Sequence, residues 1–234
     1  MKGTPAPRQA RRPAQIGSMQ HAQRLLFLPG AGGSPELWRP LGDLLPAHLD
    51  KRYLAWPGLG NQPHSPSVRD FDDLVALVLA ELGDEPVDLL AQSMGGAVAL
   101  RVALEHPQRV RRLLLAVTSG GLDVSALGGS DWRANYRASF PRAASWITET
   151  WPDYTNELGR VRQPTLLLWG DADPISPVAV GEQLRRVLPH AVLQVIEGGD
   201  HDIVATRAHE VLPHVLVHLG LREGAHGPGA IAPT

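Results

Sequence analysis

The stretch DLLAQSMGGAVAL, residues 88–100, is apolar at both ends and breaks at a cluster of small residues around Ser93. VDLLAQ before the break has the composition of a buried strand, and GGAVALRVALEH after it reads as a helix. Ser93 therefore falls on a strand-to-helix turn, where a sharp, strained backbone lifts a hydroxyl above the edge of a sheet. Ala91-Gln92-Ser93-Met94-Gly95 differs from Gly-x-Ser-x-Gly at its first position. The residues two before and two after the serine must be small, because strand and helix nearly touch there. Alanine is the next-smallest choice after glycine. A simple glycine-rich turn is the competing reading, and the companions of Ser93 must decide.

A serine hydroxyl is a poor nucleophile without a base, and the base needs an acid to orient it. For a serine on such a turn the chain order is Ser, acid, His. PTLLLWG (164–170) is followed by DADPISP, which puts Asp171 and Asp173 on a loop, and AVLQVIE (191–197) is followed by GGDHDIV, which carries His201. Of the ten histidines, His106, His190, His209, His214 and His218 fall on or beside helical segments, and His48 and His64 lie in early loops. Position thus singles out His201. Two backbone amides must also face the charge that develops on an attacked carbonyl. Met94 follows the nucleophile and supplies one; Ala31, after Gly30 in LPGAGGSPELW (28–38), supplies the other. A phosphate-binding loop competes for that segment, but it lacks both the Gly-Lys-Ser/Thr ending and the Gly-x-Gly-x-x-Gly spacing.

These residues need a scaffold. Apolar runs at 24–29, 51–56, 87–92, 110–117, 164–170 and 191–197 lack period-two alternation, as expected of parallel strands covered on both faces. Helical patterns fit 34–46, 68–82, 95–106, 177–188 and 206–219. The alternation predicts an α/β architecture with a mostly parallel, doubly wound sheet, and the candidate residues then gather at its C-terminal edge. One connection is too long for a crossover. Residues 119–162 carry Trp132, Tyr136, Phe140, Trp146, Trp151 and Tyr154, half of the aromatic residues, and read as a lid or binding element.

The chain of 234 residues, 43% hydrophobic, has enough apolar content for one core, and the expected domain runs over 21–221. Residues 1–20 and 222–234 read as a disordered basic arm and a disordered tail. Arg11-Arg12 lacks the apolar segment of an export signal, so the expected location is cytoplasmic. A net charge of -2 gives no pull toward nucleic acid, and no apolar run is long enough for a membrane span. The absence of cysteine excludes disulfides, thiolate catalysis and Cys-ligated metals. No cofactor or metal is implied.

LPGAGGS, WPGLGNQ (56–62), AQSMGG, HPQRVRRLLLAV, WGDADPISP and GGDHD, in that order, resemble the motifs of the α/β-hydrolase fold family over about residues 22–221. The resemblance implies a sheet of about six strands, trimmed of the family's leading hairpin, with 119–162 as a short helical cap. The family pattern Gly-x-x-Asp-x-x-x-Pro falls on Gly170, Asp173 and Pro177, which selects Asp173 as the acid. Pro29 stands where the family usually has His. The expected activity is a serine hydrolase cleaving an ester or thioester through Ser93, Asp173 and His201, with Ala31 and Met94 as oxyanion donors. Gly30, Trp132, Phe140, Trp146 and Trp151 are the expected substrate-binding residues. Alternatives are an acyl-carrier or coenzyme A thioesterase, whose carrier would meet Arg133, Arg137 and Arg142, and a non-catalytic ligand-binding protein on the same scaffold.

Overall fold

The computed structural model describes residues 22–149 and 152–221, so the arm, the tail and Trp151 lie outside the described residues. Six strands, β1 (Arg24–Leu28), β2 (Asp50–Tyr53), β3 (Val87–Gln92), β4 (Val110–Ala116), β5 (Thr165–Gly170) and β6 (Ala191–Ile196), form one sheet in the order β2-β1-β3-β4-β5-β6. Every neighbouring pair is parallel. Each residue of β3 and β5 is buried, which is why those strands read as continuous apolar runs rather than alternating ones. β6, at the sheet's edge, leaves Val192 and Val195 exposed.

The helices are α1 (Arg39–Gly42), α2 (Phe71–Glu81), α3 (Met94–Glu105), α4 (Arg133–Ser139), α5 (Val178–Val187), α6 (Ile203–Thr206) and α7 (Ala208–Leu219). From β1 the chain steps one way to β2 and then returns past β1 to β3, and every later step continues in that second direction. Right-handed crossovers then put α1 on one face of the sheet and α2, α3 and α5 on the other. Consistent with this, α2 packs on α3, and α1 packs on α6 and α7. The direction reverses between β1 and β3, so the loops leaving those two strands diverge and open a crevice there.

Three expected elements differ. The helix expected over 34–46 is a 3-10 turn, Pro35–Trp38, followed by the single turn of α1. Pro35, Pro40 and Pro46 punctuate it, and proline lacks the amide that a longer helix would use. The strand expected over 51–56 ends at Tyr53, because Trp56 turns away to bond the loop after β1. The helix expected over 206–219 is α7, which starts two residues later at Ala208, because Arg207, with φ -123° and ψ 31°, separates it from the unexpected short α6. Among the described residues no helix is long and apolar enough to cross a membrane.

Helix and strand backbones approach closely where α3 meets β1. A Cβ added at Gly95 would sit 2.5 Å from the Pro29 carbonyl oxygen and 2.8 Å from that of Leu28. Both atoms are backbone in a central strand or just beyond it, so neither can swing aside. Gly95→Ala is expected to lower stability by about 1–3 kcal/mol, read as an earlier midpoint in urea unfolding with an unchanged slope.

Candidate active site

Ser93 ends β3 and caps α3 with φ 51° and ψ -122°, a conformation that L side chains rarely adopt. Three local features hold it there. Its amide donates to the Ala116 carbonyl at 2.9 Å, buried Ala91 lies in register between Leu28 and Leu115, and Gly95 admits the backbone of β1. Alanine at the elbow's first position therefore meets no steric obstacle.

The structure brings Ser93, His201 and Asp173 into one chain of contacts. His201 Nε2 lies 2.9 Å from Ser93 Oγ, and His201 Nδ1 lies 2.7 Å from Asp173 Oδ2. With a carboxylate accepting at Nδ1, Nε2 is the nitrogen left to accept the serine proton. Asp173 is 4% exposed, and its second oxygen accepts from the Ile175 amide at 2.8 Å. Asp171 is exposed and accepts from the Gly198 amide at 2.6 Å, which ties the loops after β5 and β6 together. The two aspartates thus have separate tasks.

Gln92, buried beside the serine, was not a sequence-level candidate. Its Nε2 donates to the His201 carbonyl at 2.8 Å, fixing the main chain that carries the imidazole. A Cβ at Gly30 would collide with the Gln92 amide oxygen and approach Ser93 Cβ to 3.0 Å, so glycine is the residue that fits there.

The loop after β1 is held by its carbonyls. Leu28 O accepts from Trp38 Nε1 at 3.0 Å, Pro29 O from Trp56 Nε1 at 2.7 Å, Gly30 O from the Gly33 amide at 3.0 Å and Ala31 O from the Tyr136 hydroxyl at 2.8 Å. Peptide units are trans and planar, so a carbonyl fixed outward leaves its partner N–H facing the other way. Among the described residues, neither the Ala31 nor the Met94 amide donates to an internal acceptor. Those amides are available to a bound oxyanion.

Two cavities meet at Ser93 and His201. One of about 610 Å³ is lined by Gly30, Ala31, Leu37, Trp132, Tyr136 and Phe140 among others. The second, about 440 Å³, runs past Met94, Val117, Leu122 and Val124, and shares Trp132 and Ile175 with the first. Val117 has φ 45°, a second strained non-glycine backbone beside the serine.

Of the expected substrate-binding residues, Gly30, Trp132 and Phe140 line the larger cavity. Trp146 requires correction, because it lines neither cavity. The Ala144 amide bonds the Gly58 carbonyl at 2.8 Å just before the turn Ser145–Thr148, in which Ile147 and Thr148 are buried. Trp151 lies outside the described residues. Tyr136 takes a part that sequence reasoning missed, although a signal existed: Trp132, Tyr136 and Phe140 recur every four residues on one helix face. Their rings pack at 5.4 and 5.0 Å between centroids. Burial pushes the Tyr136 phenol above its ordinary pKa, partly offset by the Gly60 amide it accepts, so it stays protonated and able to donate at neutral pH. Among the described residues, no cluster of three or more His, Asp or Glu could hold a metal ion.

Residues 23–145 and 135–208 match the family model described as the alpha/beta hydrolase fold. The pimeloyl-[acyl-carrier protein] methyl ester esterase of Aromatoleum aromaticum is 30% identical, over 76% of this chain and 90% of that protein. The poly(3-hydroxyalkanoate) depolymerase of Ectopseudomonas oleovorans is 27% identical, over 85% of each. Among solved structures, a hydrolase from Pseudomonas aeruginosa superposes with a TM-score of 0.70 at 22% identity, covering 85% of this chain and 90% of that one. At that identity the likeness speaks for the fold alone.

The strain at residue 93 is measurable without any substrate. Glycine adopts positive φ at no steric cost, whereas an L residue pays about 1–2 kcal/mol, partly offset by glycine's greater freedom when unfolded. Ser93→Gly is therefore expected to be more stable than Ser93→Ala by about 0.5–1 kcal/mol in paired thermal melts. Equal stability would remove strain from the account of the turn.

Proposed function

This chain belongs to the α/β-hydrolase fold family, and from that premise we propose that it is a serine hydrolase of carboxylic esters, working through an acyl-enzyme. The observation that carries the reading is the contact chain itself, Ser93 Oγ to His201 Nε2 at 2.9 Å and His201 Nδ1 to Asp173 Oδ2 at 2.7 Å, at the junction of two cavities. The names of the relatives, an esterase and a polyester depolymerase, support ester bonds as the target.

In this reading His201 Nε2 takes the Ser93 proton as Oγ attacks the acyl carbon. The carbonyl oxygen becomes an oxyanion facing the Ala31 and Met94 amides. Asp173 balances the charge on the imidazolium. The tetrahedral intermediate collapses, His201 hands its proton to the departing alcohol, and the acyl group stays on Ser93. Water, deprotonated by the same nitrogen, then attacks the acyl-enzyme, and collapse of the second intermediate frees the acid and restores the serine hydroxyl. Trp132 and Phe140 flank the substrate in the larger cavity, and Gly30 keeps the path to the serine open.

A carrier-linked ester is the second reading, favoured by the name of the Aromatoleum relative. The arginines expected to meet a carrier give it less support. Arg133 pairs with Asp131 at 3.1 Å, and Arg137 bonds Thr148 Oγ1 at 2.7 and 3.1 Å. Both are engaged within the insertion.

A panel of simple esters, acyl coenzyme A thioesters and carrier-linked acyl groups separates these readings by kcat/KM. A fluorophosphonate is expected to label Ser93 in the folded protein. Ser93→Ala should abolish labelling and lower ester turnover by about 10⁴-fold or more. His201→Ala should suppress both, and Asp173→Asn should lower kcat by about 10³–10⁴-fold. Asp171→Asn, which disturbs a loop tie, should cost no more than about tenfold. An unlabelled, folded protein that binds ligands equally well as Ser93→Ala would favour the non-catalytic reading, and a reversed order of the two aspartates would exchange their roles.

A further inference from the structure

The carbonyl tethers of the loop after β1 differ in origin. Trp38, Trp56 and Gly33 belong to the body of the fold and hold Leu28 O, Pro29 O and Gly30 O. Ala31 O is held by Tyr136, which stands on α4 inside the insertion. The same hydroxyl accepts from the Gly60 amide at 2.9 Å, so one phenol bridges the loop after β1 and the turn after Trp56. Gly60, with φ 55°, leaves no room for a Cβ, which would run into the Gly32 carbonyl.

We propose that Tyr136 is a positioning residue for the oxyanion loop, and that ester turnover depends through it on the docking of the insertion. The proposal rests on reading Ser93 as the nucleophile. The Ala31–Gly32 peptide follows directly after the amide assigned to the oxyanion. It is the central peptide of the turn closed by the Gly33 amide on the Gly30 carbonyl, and with glycine at the turn's third position it can flip without breaking that bond. Released from Tyr136, the Ala31 carbonyl is free to turn toward the cavity and set a partial negative charge beside the developing oxyanion. Held, it faces α4. The rings packed on either side of Tyr136, Trp132 and Phe140, line the cavity, so a bound acyl group presses on the same helix face that carries the tether. The insertion then acts on the chemical step as well as on substrate choice.

Y136F removes the hydroxyl and keeps the ring. With p-nitrophenyl acetate, its kcat is expected to fall about tenfold or more while KM stays within about twofold. A trifluoromethyl ketone reads the oxyanion directly. Ser93 Oγ adds to its carbonyl carbon, the serine proton passes to His201, and the ketone oxygen becomes the bound oxyanion. Its affinity should weaken in step with kcat. Y154F is the control: Tyr154 is also buried in the insertion, its phenol pushed up to about 12, but it packs on Gly121 away from the loop after β1. Y154F is expected to leave kcat and ketone affinity unchanged. The inference is overturned if Y136F matches wild type in kcat, or if both variants lose activity only in proportion to stability. Wild type that neither hydrolyses an ester nor reacts with a fluorophosphonate would sink the hydrolase reading and this inference with it. An active wild type with an unaffected Y136F overturns this inference alone.

Discussion

Leu28 and Pro29 turn their carbonyl oxygens toward α3 so closely that residue 95 has no space for a side chain. This backbone-to-backbone approach is the constraint from which the site follows. It draws the start of α3 against the end of β1, which forces the connection from β3 into a turn too sharp for ordinary φ values. Ser93 takes up the strain, and its side chain is delivered beside Gly30 in the loop after β1. Helix, strained serine and loop are consequences of one contact at the place where the sheet reverses direction.

Much of this was legible because parallel strands place every following loop on one edge. Ser93 after β3, Asp173 after β5 and His201 after β6 could be brought to a common edge by counting strands, with no distances known. The six strands were visible as apolar runs for the same reason: β3 and β5 are covered on both faces. What escaped notice depends on contacts remote in sequence. Tyr53 ends β2 because Trp56 finds a carbonyl acceptor at Pro29, and nothing in 51–56 announces that partner. Trp146 looked like Trp132, yet its turn follows a backbone bond from Ala144 to Gly58 and it lines neither cavity. Gln92 stands between two small residues with no local sign of a partner, yet it bonds a carbonyl 109 positions away.

The imidazole shows how such distant contacts combine. His201 sits in a loop with no long helix to stiffen it, and three independent bonds restrain it: Asp173 at one ring nitrogen, Ser93 at the other and Gln92 at its main chain. Asp171 adds a fourth restraint indirectly by tying the neighbouring Gly198 amide. A ring fixed by several partners needs little reorganisation when charge appears on it, which is the condition under which preorganised electrostatics lower a barrier most.

The strand order has a consequence for how the chain acquires its site. β1 lies between β2 and β3, and Ser93 after β3, Asp173 after β5 and finally His201 after β6 meet beside it. Synthesis proceeds from the N-terminus, so the serine turn emerges long before His201, and under the proposed reading a chain halted before residue 201 lacks the base for Ser93. Under that reading, sheet order and synthesis order together make the final loop the step that completes the site. The wait has a hazard: while β6 is still missing, β5, rich in leucine, presents an unpaired edge to any other chain with a strand to offer.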